Sequence, residues 1–204
     1  MAACSGGVPD RSSAIPPNRN PHPAVASTAA TRPHSHAIAG DAGRFHVDVP
    51  STWTVRHDFR SSYLANGAWK TFAAANSVGT PVLALAVPGS NRITDAEIRI
   101  GISRAAGEVH RCTTPPPAVR PGSISTQRIN GITFASFDAG DAAMSHYLEV
   151  HGYRTVRDGT CYAIDLLVYG SNPDVYSPPA TPPFTHSQAF AQMQTVLHTF
   201  HFSP

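Results

Sequence analysis

The stretch that most constrains the fold runs from Met144 to Tyr169, MSHYLEVHGYRTVRDGTCYAIDLLVY. Two runs rich in β-branched and aromatic residues, which suit a pleated and half-buried surface, flank Arg157-Asp158-Gly159. Asp-Gly at such a point is a strong hairpin signal, because glycine accepts the positive φ that the turn requires. The second run, Cys161 to Tyr169, is apolar at nearly every position, which predicts a strand covered on both faces. A chain carrying this pair must build a sheet with further layers packed against it.

The remainder is consistent with one such core. The chain has 204 residues and is 41% hydrophobic, enough for one core of ordinary size. Of its 19 prolines, 15 fall in the first forty residues and in two later loops, 115–121 and 172–183, so the organisation expected is a tail over 1–39 and a domain over 40–204. The tail has few large apolar side chains, too little buried surface to offset its ordering entropy, and is expected to be disordered. Net charge is +2, and Lys70 is the single lysine among scattered arginines. Nucleic-acid binders gather such charges on one face, so no nucleic-acid partner is expected. No apolar run reaches the roughly 18 residues that a membrane-spanning helix needs.

Order is expected from near Gly43. Phe45, Val47 and Val49 alternate up to Pro50, Trp53 follows as a core anchor, and Trp69 to Ala75, Val82 to Val87 and Glu97 to Ile102 read as strands. In the last of these the isoleucines are expected to point inward. Ser103 to Arg111 fits one or two helical turns, stopped by Pro115-Pro116-Pro117. Asn130-Gly131 hinges a hairpin between Ile124–Ile129 and Ile132–Phe137, and Asp138 to Asp141 reads as a loop. The five prolines between Asn172 and Pro183 predict an exposed loop. Thr185 to Gln188 fits a capping box for a helix running to about His198, with Phe190, Met193 and Leu197 on its apolar stripe. A short edge strand from Thr199 to Phe202 ends the chain.

Three cysteines, Cys4, Cys112 and Cys161, suggest one that differs in role from the other two. If Cys112 and Cys161 meet, they close a loop of about fifty residues, worth roughly 3–4 kcal/mol on the chain-entropy model; two separate buried thiols are the alternative. Met1-Ala2-Ala3-Cys4-Ser5-Gly6-Gly7 looks like the end of a bacterial lipoprotein signal, with Met1 standing where the box carries leucine. This predicts a lipid anchor on Cys4, a flexible tether, and a protein facing the periplasm from a membrane of the cell envelope. His22, His34 and His36 in the tail read as solvated polar sequence rather than metal ligands.

The order of these parts resembles a known family. An early Val49-Pro50-x-x-Trp53 is followed by the Ile129-Asn130-Gly131 hairpin, then by Tyr153-Arg154-x-Val156-Arg157-Asp158-Gly159-x-Cys161-Tyr162, and a capped terminal helix leads to Phe200-x-Phe202. Together they resemble small bacterial envelope lipoproteins with the PsbP-like fold. That resemblance implies an α+β class, an antiparallel sheet flanked by helices as an α/β/α sandwich. It also implies a noncatalytic binding or assembly role with an envelope protein partner. No motif for a metal, a cofactor or a GTPase partner is present to carry over.

Three constellations carry possible chemistry. Glu149 and His151 lie two apart on a strand and share a face with Tyr147 and Tyr153; with His146 they form the weak candidate for a metal site or an acid–base pair of a small periplasmic hydrolase. A cross-strand polar patch is the plainer reading, and no enzyme is expected. Asp138 and Asp141 offer oxygen ligands around Gly140, though calcium wants more of them. Arg154 and Asp165 become diagonal neighbours if the turn is a two-residue Asp-Gly loop, giving a structural ion pair.

Overall fold

A computed structural model describes residues 34–204. Cys4, His22 and positions 1–33 of the tether expected over 1–39 lie outside the described residues. Order begins earlier than the expected Gly43: Ser35–Gly40 forms a strand, β1, paired antiparallel with β2 (Phe45–Pro50). The anticipated boundary at 39/40 therefore falls inside a strand, and His36 lies on it. Here pairing with β2 orders a stretch whose composition looks too polar to order itself.

Two antiparallel sheets result. The smaller has the order β1-β2-β10, where β10 is His201–Phe202. The larger joins β3 (Thr54–Arg56), β4 (Thr80–Ala86), β5 (Thr94–Ser103), β6 (Ser125–Ile129), β7 (Ile132–Ala143), β8 (His146–Arg157) and β9 (Thr160–Ser171) in the order β3-β4-β5-β9-β8-β7-β6. The Asp-Gly hairpin is its centre. Arg157 pairs with Thr160, and Asp158 and Gly159 both take positive φ (47° and 66°), the conformation of a two-residue type I′ turn. Every residue of β9 from Thr160 to Tyr169 is buried, as its apolar run predicts.

Strand alternation divides the layers. Tyr162, Ile164, Leu166 and Val168 join Phe45, Val47 and Val49 of the smaller sheet, and Phe200 just before β10, in the main core, together with the apolar stripe of the helix α2 (His186–Leu197). Thr185 caps that helix as expected, accepting from the Gln188 amide while the Gln188 side chain returns to the Thr185 amide. On the other face lie Cys161, Ala163 and Leu167, covered by the segment Phe59–Ser77 and a five-residue helix, α1 (Ala106–His110). The class is α+β, an antiparallel sheet with helices on its two faces, the second face being covered mostly by irregular chain. Cys112 and Cys161 meet there as a disulfide.

Two expected elements differ. Trp69–Ala75 is irregular chain rather than a strand, because it runs across the sheet: Trp69 is buried beside Cys112 and Cys161, and the Thr71 amide donates to Asp165 (2.8 Å). Asp138–Asp141 is not a loop. β7 continues through it to Ala143, paired in register with β8.

Candidate functional site

Period-two alternation decides the fate of the sequence candidates. Tyr147, Glu149, His151 and Tyr153 share the face beneath α2. The His151 ring lies flat on Phe190 (3.9 Å between centroids, 6° between planes), and its Nε2 is 3.7 Å from Asp138, its register partner. Burial holds this imidazole below its usual range, with Asp138 and Glu149 pulling the other way. Glu149 meets His186 of α2 (Oε1 to Nδ1, 3.3 Å) at a half-exposed position. His146, one residue out of phase, sits on the opposite face stacked against Tyr63. The proposed grouping of His146, Glu149 and His151 is thereby split by the sheet. Among the described residues no three His, Cys, Asp or Glu side chains are gathered to hold a metal ion. Asp138 and Asp141, three apart on one strand, also point to different faces.

Arg154 and Asp165 do meet, Nη1 to Oδ1 at 2.7 Å and almost fully buried, with the guanidinium over the Phe137 ring. A second buried group was not legible in the sequence. Glu97 and Arg99, expected to point outward from β5, are 0% and 1% exposed. Glu97 is paired with Arg99 (2.7 Å) and with Arg56 of β3. Arg99 also donates to the carbonyls of Arg60 and Asn66 (2.7 Å each). These charges tie down the segment that covers them. The Glu-x-Arg spacing on one face of β5 was the available signal, but it reads equally as a solvated edge.

The same face opens into a cleft at one end of the sheet, about 270 Å³, where the start of β5, the end of β9 and the start of β8 meet Ser62–Leu64 and Tyr176. Its polar groups converge from several elements. Tyr169 donates to Asp95 (3.1 Å), with Glu97 as an alternative acceptor (3.3 Å). Burial first, then the neighbouring carboxylates, pushes the Tyr169 phenol far up; burial and Glu97 likewise raise Asp95. The Asn91 side chain accepts from the Ile93 and Thr94 amides, shaping the turn that presents Arg92, whose guanidinium lies over the Tyr176 ring (5.6 Å). Ser171 Oγ lies 3.2 Å from His146 Nδ1. Ser171 is buried, and among the described residues no carboxylate forms an ion pair with His146. Tyr63, which lines the cleft, leaves a large apolar surface exposed. A more open groove of about 570 Å³ lies alongside, between Pro173, Pro182, Pro183, Phe184 and His186, and Tyr147 lines both.

No family model matches the chain, and no curated protein matches it. Among solved structures it is similar to a crystal structure of a protein from Bacteroides thetaiotaomicron VPI-5482, with 11% identity and a TM-score of 0.44, over 85% of this chain and 50% of that one. It is also similar to the solution structure of cyanobacterial PsbP (CyanoP) from Synechocystis sp. PCC 6803, with 11% identity and a TM-score of 0.41, over 89% of this chain and all of that one. The chain thus spans half the length of the Bacteroides protein.

Proposed function

We propose that the protein is a noncatalytic binding or assembly accessory of the cell envelope, anchored through a lipid on Cys4 and facing the periplasm, with the cleft at the sheet end as its binding surface. One observation supports the binding role: the cleft gathers aromatic rings, an arginine and an aspartate from separate elements into one solvent-open concavity, the composition of a recognition site. The address rests on Ala2-Ala3-Cys4 followed by a polar, proline-rich stretch. Expression from the natural gene, followed by mass spectrometry of the mature amino terminus and membrane fractionation, tests it. A diacylglyceryl-modified Cys4, with Cys4→Ser released into the soluble fraction, is the expected result; an intact, unmodified terminus sinks the address.

The Ser171–His146 contact favours a second reading, a small hydrolase. It requires the serine hydroxyl to be reachable and activated by the imidazole. Labelling by a fluorophosphonate probe that Ser171→Ala abolishes would establish it and displace the first reading.

A further inference from the structure

Resting on the cleft as the binding surface, we propose that its ligand is a small zwitterion of the α-amino acid class, its carboxylate held by Arg92 and its ammonium group by Asp95 among tyrosine rings. The two charged residues stand three apart at the head of β5 and both line the cleft. Among the described residues neither is in an ion pair, with the other or with any third group. Elsewhere in the domain the buried charges are matched within hydrogen-bond distance, as Arg154–Asp165 and Glu97–Arg99 are. Opposite charges kept apart in one concavity match the charge pattern of a ligand carrying both signs.

Each charge is also placed on an aromatic support. Arg92 is exposed, with its guanidinium against Tyr176, leaving its donor edge for a carboxylate, which arginine binds through two parallel hydrogen bonds. Asp95 is half-buried, held on one oxygen by Tyr169. An ammonium group beside it would offset the burial that now disfavours its charge. Size narrows the class further. At about 270 Å³ the cleft is smaller than the roughly 300–1,000 Å³ of sites for drug-sized ligands, so it suits a metabolite rather than a folded partner.

The test is ligand-observed NMR on the purified full chain with each of the twenty L-amino acids, then calorimetry on the tightest binder, its amide and its N-acetyl derivative. The expected result is saturable binding of a free amino acid. Blocking either end of the ligand should weaken it by roughly tenfold or more, the cost of one charge-assisted contact. Arg92→Gln should abolish the preference for the acid over the amide, and Asp95→Asn the preference for the free amine over the N-acetyl form. Arg92 is exposed and the ligand-side changes need no variant, so the outcome does not hang on a folding defect. Absence of binding by all twenty, or binding indifferent to Arg92→Gln, overturns the zwitterion. It leaves the lipid anchor and the accessory role to their own test, since neither depends on this ligand.

Discussion

Arg154 and Asp165 sit where neither charge reaches water, so each is tolerable only because the other is present. Removing one member of such a pair costs about 3–5 kcal/mol, because the survivor stays buried and uncompensated. Arg154→Met should destabilise the domain by that amount in urea unfolding. Adding Asp165→Asn to it should recover part of the loss, a coupling that a merely steric role for Arg154 would not produce. Asp95 behaves differently, being raised by burial and by Glu97 rather than matched. A raised carboxyl binds its proton more readily in the folded chain than in the unfolded one. Its stabilising contribution is therefore complete below the unfolded value of about 3.9 and is lost as pH rises through the folded value. Asp95→Asn should accordingly raise the melting temperature at pH 7 and leave it nearly unchanged near pH 3; an equal gain at both would mean the effect is not one of charge. That cost at neutral pH is what a residue kept for binding would carry.

Among the elements, those whose signals are local were readable from the chain. The turns at Asp158-Gly159 and Asn130-Gly131 both adopt positive φ, and the capping box at Thr185 forms, because each depends on neighbours a few residues away. The Arg154–Asp165 diagonal followed from the turn length alone. Segments whose environment comes from distant chain were misread. β5 alternates isoleucine with charge, which describes a strand with one wet face, yet Phe59–Ser77 crosses over that face and buries Glu97 and Arg99. Gly101 permits the crossing: a Cβ there would lie 1.7 Å from the Trp69 carbonyl oxygen, a backbone atom with no room to yield. Gly101→Ala should cost about 3 kcal/mol and, by lifting the covering segment, speed amide hydrogen exchange in 59–77 more than in α2. Uniform acceleration across the domain would argue against this local displacement.

For the whole molecule, the disulfide fastens the irregular cover to the centre of the sheet, joining Cys112 beyond α1 to Cys161 at the start of β9, 49 residues apart. Replacing both cysteines with alanine should lower stability by roughly 3–4 kcal/mol on the chain-entropy model. The variant should retain its far-ultraviolet signature, since the main core lies on the opposite face of the sheet; loss of that signature would mean the bond is required to form the fold rather than to hold it. The cleft belongs to this scale too. Asp95, Tyr169, His146, Tyr63 and Tyr176 come from five separate stretches of chain, and nothing in any one of them announces the others. By itself the sequence determined the central hairpin, the period-two faces, the capped helix and the α+β class, because hydrogen-bonding turns and side-chain alternation act between near neighbours. Only the tertiary structure decided which of those faces would be dry, that the sheet would separate His146 from Glu149 and His151, and that Arg92 and Asp95 would share a concavity. Burial and convergence depend on which distant segments pack together, a property no local window of residues contains.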